Sequence, residues 1–416
     1  MLDIKYIREN VEKVKKGTAA KQLDSGLVDM VLDLDSKRRT LLLEIEELRS
    51  RRNKYAKEKN IKEGKKLKDQ LKKRQPELDG VEQEYKRAML QIPNPPADDV
   101  KVGKNDKENE VIKTWGEKTR SEFKAKDHLE IGEDLDIIDV ERAAKVSGTR
   151  FGYLKGDAVR LEFALVNFAF QLLEKEGFIP IVPPMLIKKD MMGGMGYLEH
   201  GGEEDMYVFE KDNLVLVATS EQSIGPMHSG EILKVKDLPK RYMGFSSCFR
   251  REAGSYGKDT RGILRVHQFD KVEMFSFTKS GESDKEHEFL LKMEEKLFQK
   301  LEIPYQITKM CSGDLGAPAS RKYDINAWMP GQGRYREVTS TSNTNDFQAR
   351  RLGVKYQESG KTEFVHMLNG TAIAIGRTII AILENYQQKD GSVKIPKVLQ
   401  KWVGKEKISL PENKNK

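Results

Sequence analysis

Between Phe249 and Phe275 the chain reads FRREAGSYGKDTRGILRVHQFDKVEMF, and its residue types suit a nucleotide together with a small polar substrate. Arg250 and Arg265 offer planar forks that match phosphate or carboxylate oxygens through paired charge-assisted hydrogen bonds. Phe269 offers an aromatic face for a base, and Glu252 and Glu273 can each accept from an amine or a hydroxyl. Arg250 alternates with Glu252, and Arg265, His267, Phe269, Lys271 and Glu273 alternate in turn. Period 2 therefore predicts two extended runs with these side chains on shared faces. The connection between them holds Gly254, Gly257, Asp259 and Gly262, the glycine and charge of a contact surface rather than of a buried link. Alternation by itself fits a charged antiparallel hairpin with one wet face equally well.

The run resembles motif 2 of class II aminoacyl-tRNA synthetases in the form found in the seryl-tRNA synthetase family, where FR.EAG leads through a loop to RG..R.HQF.KVE. That resemblance extends over essentially the whole chain. It implies ATP-dependent activation of L-serine to seryl-adenylate and transfer of the seryl group to a terminal ribose hydroxyl of tRNA(Ser), with tRNA(Sec) left open. It also implies roles. Arg250 holds the serine carboxylate and the α-phosphate, Arg265 orients outer phosphates, and adenine stacks on Phe269 beside Val266 with Glu252 near its exocyclic amine. Glu273 reads the serine hydroxyl, and the loop of residues 254 to 262 meets the acceptor end of tRNA.

Three further stretches complete the implied site. LVLVATSEQSIGPMHSGEIL, residues 214 to 233, resembles the family's serine-binding segment, in which Thr219 and Glu221 face the ammonium group. Read locally, the same residues could merely cap a helix. YREVTSTSNTNDFQARR, residues 335 to 351, supplies Glu337 and Ser340, implied to hold Mg2+ on the ATP phosphates with the hard oxygen donors that ion prefers. Asp324 and Asp346 are further acids that read equally as a turn residue and a helix cap. MLNGTAIAIGRTIIAILENYQ, residues 367 to 387, resembles motif 3. It passes from small residues to an apolar helix at about Gly376, and Arg377 near a helix N-terminus suits the γ-phosphate. Asn369 and Thr371 just upstream are implied in the serine pocket, and NGTA here in place of the common NGSG keeps the hydroxyl. The implied chemistry is positioning and charge neutralisation by Arg250, Arg265 and Arg377, with no protein nucleophile. Glu273→Ala is expected to hurt serine activation far more than folding.

These side chains need a body to carry them. Residues 157 to 176 are apolar along their length with charges toward the ends, and Gly177 follows, predicting a buried helix and its stop. GFIPIVPPML, residues 177 to 186, resembles motif 1 with its proline at Pro184, which implies a homodimer. Upstream, Leu27, Val31, Leu34, Arg38, Leu41, Ile45, Leu48, Arg52 and Tyr55 recur at spacings of four and three, a heptad seam. Leu67, Leu71, Arg74, Leu78, Val81, Tyr85, Ala88 and Ile92 form a second series. Asn60 and Gly64 between them are expected to reverse the chain, and Pro76 and Gly80 to bend the returning helix. Two helices of roughly 30 residues, each about 45 Å long, give a narrow antiparallel arm.

Residues 36 to 89 carry 18 Lys or Arg against 10 Asp or Glu, a balance of +8 that equals the net charge of all 416 residues. A basic arm points to a polyanion, and the resemblance names it as tRNA, with Lys65, Lys66, Lys68, Lys72 and Lys73 as candidate phosphate partners. The expected fold is α+β. An antiparallel two-helix coiled-coil arm (about 27–92) lies in an N-terminal tRNA-binding domain (1–96). Residues 97–150 link to and open the catalytic domain. Residues 151–416 form a class II catalytic domain with a mixed, mainly antiparallel sheet flanked by helices.

Cys248 and Cys311 form no ligand cluster with the six histidines, so zinc is not expected. The amphipathic, charged opening MLDIKYIRENVEKV and the lack of an 18-residue apolar run predict a cytoplasmic protein with no membrane partner. Three rival readings remain. A different class II synthetase would need another pocket and usually an anticodon-binding domain. A class II amino-acid ligase loading a carrier protein would share the core but lack a basic arm. A coiled-coil structural protein would leave the arginine, glutamate and phenylalanine pattern without purpose.

Overall fold

The computed structural model describes residues 1–120, 122–253 and 261–411, and the chain divides into two compact units, Met1–Pro95 and Pro96–Lys416. In the first, short helices α1 (Ile4–Glu9) and α2 (Val11–Ala20) precede the long helices α3 (Gly26–Lys57) and α4 (Ile61–Gln91). α3 and α4 pack closely along one seam, burying Val28, Val31, Leu34, Leu41 and Ile45 from one and Leu67, Leu78, Ala88 and Met89 from the other. Of the seam arginines, Arg52 and Arg74 turn outward as long amphipathic side chains do, while Arg38 packs inward on Tyr85. Arg74 reaches Glu44 at 3.2 Å and Glu77 at 2.7 Å, and the Arg38 guanidinium lies 4.9 Å from the Tyr85 ring centre.

The reversal is made by Lys59, at φ +54°, and by Asn60, whose side chain accepts from the Glu63 N–H at 3.3 Å. Gly64, expected in the turn, lies inside α4, because the Asn60 cap already starts the helix before it. Pro76 also lies inside α4, on its exposed side, and the helix runs on to Gln91. The charge concentrates near the turn, with thirteen Lys or Arg and three Asp or Glu between residues 49 and 74.

The second unit is built on an eight-stranded sheet: β1 (Glu110–Trp115), β2 (Ile179–Ile181), β3 (Lys240–Phe249), β4 (Gln268–Thr278), β5 (Tyr305–Lys309), β6 (Arg321–Met329), β7 (Arg334–Asn343) and β8 (His366–Ala374). The spatial order is β1-β5-β6-β7-β8-β4-β3-β2. Every pair is antiparallel except β2 with β3. The helices used below are α5 (Asp157–Glu174), α6 (Glu221–Ile224), α7 (Ser283–Lys300), α8 (Phe347–Leu352) and α9 (Ile375–Tyr386).

Leu161, Leu165 and Leu173 of α5, Leu290, Leu297 and Phe298 of α7, and Ile379, Ile380 and Leu383 of α9 form one core with Met274, Ile325, Leu368 and Ala372 of the sheet. Residues 97–150, expected as a linker and entry to the catalytic domain, contribute strand β1 at the sheet edge and the helix His128–Asp134, whose Leu129 and Ile131 join that core. α5 ends just before Gly177, at φ +86°, a backbone angle that favours glycine. The chain then enters β2; Phe163 of α5, Ile179 of β2 and Val182, Met185 and Leu186 after it are exposed apolar side chains, Val182 at 79 %.

Candidate active site

β4 carries the centre of the site. Phe269, Lys271 and Glu273 sit two apart on it and line two cavities, while Val272 and Met274, on the alternate positions, are in the core. A first cavity is lined by Arg250, Glu252, Arg265, Val266, Phe269, Lys271, Glu337, Ser340, Thr371 and Arg377. It thus gathers every residue expected at ATP. The Arg250 guanidinium lies 5.2 Å from the Phe269 ring centre, and Arg265 pairs with Glu252 at 2.8 Å.

Arg377 sits in the first turn of α9 and reaches Glu337 at both its carbonyl, 3.1 Å, and its carboxylate, 3.2 Å. The Glu337 side chain is 44 % exposed, and the charges of Arg377, Lys322 and Arg250 hold its carboxyl down at about 2. Glu337 and Ser340 are three apart, which in a regular strand would put them on opposite faces. A bulge at Val338, where Glu337 pairs with Asn326 and Thr339 with Ile325, brings both to one wall.

A second cavity is lined by Thr219, Glu221, Arg250, Lys271, Glu273, Ser340, Asn369 and Thr371, joined by Tyr197, Gln222, Lys322 and Ser342. It holds every residue expected at serine. The Thr371 hydroxyl donates to Glu273 at 3.0 Å, and the Lys271 ammonium lies 2.8 Å from the same carboxylate. Glu221 begins α6, with Thr219 accepting its N–H at 3.4 Å, so the local capping and the pocket wall coexist. Burial pushes the Glu221 carboxyl up to about 7, Glu273 adds to this, and Lys271, Tyr197 and Arg250 oppose it. Arg250, Lys271, Ser340 and Thr371 belong to both cavities.

Several expectations need correction. Arg250 and Glu252 do not alternate on a strand: β3 ends at Phe249, and Glu252 has φ +52°. Arg265 likewise precedes β4, which starts at Gln268. The ladder's last pair is Phe249 with Gln268; one position beyond it the Arg250 N–H still donates to the His267 carbonyl at 2.9 Å, and farther out the Glu252–Arg265 ion pair replaces strand pairing. Asp324 is neither turn nor cap. It is buried in β6 opposite Ser340, pushed up to about 7 by burial against the pull of Lys322. Asp346 flanks α8 and pairs with Arg350 at 2.6 Å.

Residues 254–260, including Gly254, Gly257 and Asp259 of the expected tRNA-facing loop, lie outside the described residues. Lys65, Lys66, Lys68, Lys72 and Lys73 are all exposed on α4. Lys271, unassigned from sequence, was visible there as the middle member of the Phe269–Lys271–Glu273 alternation. Tyr197 and Gln222 carried no such signal. Among the described residues no cluster of three or more His, Cys, Asp or Glu is arranged to hold a metal, and no helix is long and apolar enough to cross a membrane.

An antiparallel sheet with helices packed behind it, and arginines from three separate segments converging on its open face, defines the core of a class II aminoacyl-tRNA synthetase. The family model "tRNA synthetase class II core domain (G, H, P, S and T)" matches residues 207–386, and "Seryl-tRNA synthetase N-terminal domain" matches residues 1–96. The chain is 47 % identical over 417 aligned residues to a serine–tRNA ligase of Dictyoglomus turgidum, covering 97 % of this chain and 98 % of that one. It is 46 % identical to that of Rubrobacter xylanophilus, covering 98 % and 99 %. The crystal structure of seryl-tRNA synthetase from Pyrococcus horikoshii complexed with ATP superposes with a TM-score of 0.94 at 41 % identity, covering 99 % of this chain and 100 % of that one. The chain belongs to the seryl-tRNA synthetase family, and is an enzyme of class II.

Proposed function

We propose that the protein activates L-serine with ATP and transfers the seryl group to tRNA(Ser). The observation that carries this reading is the wall shared by the two cavities, where Arg250 and Lys271 face both. A serine carboxylate bound there lies beside the α-phosphate of ATP. The carboxylate oxygen attacks the α-phosphorus, the bond to the bridging oxygen breaks, and pyrophosphate leaves. Arg250 neutralises charge at the reacting phosphorus, while Arg265 and Arg377 orient the outer phosphates.

Adenine stacks on Phe269 beside Val266, with Glu252 at its amine. Thr219 and Glu221 receive the serine ammonium, and Glu273 with Thr371 and Asn369 encloses the side chain. A pocket that pairs a substrate hydroxyl with buried polar groups rejects its absence strongly. The Glu337 and Ser340 oxygens fit Mg2+, since Glu337 is held ionised and that ion leans on few protein ligands, water and substrate phosphates. Bound there, it would screen the phosphate charges.

Residues 1–96 act as the tRNA-binding domain through the arm at about 27–92, residues 97–150 lead into the catalytic domain, and residues 151–416 carry the chemistry in the cytoplasm. The concentration of positive charge around the arm's turn supports a phosphate-backbone partner. The exposed apolar side chains of Phe163, Ile179, Val182, Met185 and Leu186 support a homodimer through α5, β2 and the segment after it. The test is serine-dependent ATP–pyrophosphate exchange followed by aminoacylation of tRNA(Ser). Exchange with serine but transfer to a carrier protein instead of tRNA would favour the carrier ligase.

A further inference from the structure

Tyr197 stands against Glu221 in the serine pocket and donates its hydroxyl hydrogen to that carboxylate. Glu221 is only 5 % exposed and needs its negative charge if it is to receive an ammonium group. Burial and Glu273 of β4 work against that charge. Lys271 of β4, Arg250 beyond β3 and the Tyr197 hydroxyl work for it. Of these three, Lys271 is already engaged by Glu273 at 2.8 Å and the Arg250 guanidinium lies over Phe269. The Tyr197 hydroxyl hydrogen-bonds Glu221 directly, and such a bond favours the ionised acceptor. Burial and Glu221 push the tyrosine itself well above its usual value, so it stays a donor through the neutral range.

The turn bearing Tyr197 is fixed from α8. Gln348 donates to the Met195 carbonyl at 3.1 Å, and Arg351 donates to the Gly193 carbonyl at 3.0 Å and pairs with Glu199 at 3.0 Å. These contacts grip the chain on both sides of the tyrosine. Gly196 adopts φ +84°, and a Cβ on Gly202 would lie 2.1 Å from the Tyr197 carbonyl oxygen, so glycine is required for that close passage. The ring packs against the clusters that contain Met195 and Ile224 on one side and Val217 on the other.

We propose that Tyr197 is a positioning residue for serine, holding the Glu221 carboxylate as an anion aimed at the substrate ammonium, with Gln348 and Arg351 of the QARR segment clamping it in place. The inference rests on the serine-activating reading given above. Tyr197→Phe keeps the ring and its packing and removes only the hydroxyl, so the melting temperature should move little. Serine-dependent exchange is then measured from about pH 6 to about pH 8.5. KM for serine should rise about tenfold near the acid end and by only about twofold near the alkaline end, because rising pH restores the Glu221 anion without the hydroxyl's help. KM for ATP should hold, and kcat should change less than KM for serine. In Glu221→Gln, which has no carboxyl to titrate, KM for serine itself should be high and nearly independent of pH across this range. A Tyr197→Phe enzyme with unchanged KM for serine, or with KM raised by one factor at every pH, would overturn the role. Wild-type protein that supports no exchange with serine would overturn the functional reading together with it.

Discussion

Glu273→Gln separates what the serine pocket does for binding from what it does for the fold. Glu273 is 1 % exposed, and its Oε2 atom both accepts from Thr371 at 3.0 Å and faces the Lys271 ammonium at 2.8 Å. Removing the charge leaves Lys271 buried without its carboxylate. Breaking a buried pair from one side costs about 3–5 kcal/mol, a fall in melting temperature of roughly 5–7 °C for a body of this size. Glu273→Ala, expected from sequence to hurt serine activation far more than folding, carries at least that cost in stability because it also leaves a void.

The loss in activity is a distinct quantity. A hydrogen bond from the serine hydroxyl to a charged acceptor contributes about 1.5–3 kcal/mol, equivalent to roughly 10- to 150-fold in kcat/KM for serine. The double variant Lys271→Met with Glu273→Gln leaves no lone buried ammonium, so most of the melting temperature should return while exchange stays low. Thermal melts and serine-dependent pyrophosphate exchange on the three proteins give both numbers. Wild-type kcat/KM for serine in Glu273→Gln would refute the assignment of this residue.

Replacing Lys65, Lys66, Lys68, Lys72 and Lys73 together with alanine should weaken tRNA binding and flatten its dependence on salt by about 0.7–0.9 per lost phosphate contact, with tRNA-independent exchange untouched. An unchanged salt slope in a filter-binding titration would remove these lysines from the interface. Val182→Glu replaces an exposed apolar side chain just after β2 with a charge, and sedimentation should then find monomers where the unmodified chain gives dimers. His287 is fully buried against Tyr323, with ring centres 5.0 Å apart, and burial lowers it to about 4. Its unfolded value is near 6.5, so the unfolded chain binds the proton first. Stability is full above about pH 6.5 and falls by about 3 kcal/mol as pH drops toward 4. Urea unfolding of His287→Asn should show a shallower acid limb than the unmodified protein.

The arm was legible because it depends on local periodicity. Val31, Leu34, Leu41 and Ile45 follow the heptad, and burial follows them. Arg377 was legible for a similar reason, since a shift from small residues to an apolar helix marks the helix start that carries it. Period 2 failed where tertiary contacts override the strand. Glu252 and Arg265 leave the ladder to pair with each other, and the bulge at Val338 puts Glu337 and Ser340 on one wall although their spacing argues against it. Tyr197 had no pattern to reveal it. Its place comes from contacts to Gln348 and Arg351, about 150 residues away in sequence, and no local signal encodes them. Pro76 shows the reverse, a strong local breaker accommodated on the exposed side of a helix held along its opposite seam.

The central claim is that one pocket joins serine to ATP, and ATP–pyrophosphate exchange measured with each of the twenty amino acids tests it most directly. Serine alone should support rapid exchange, with alanine rejected for want of a hydroxyl and threonine for its extra methyl group. Exchange driven better by another amino acid, or by none, would contradict the account.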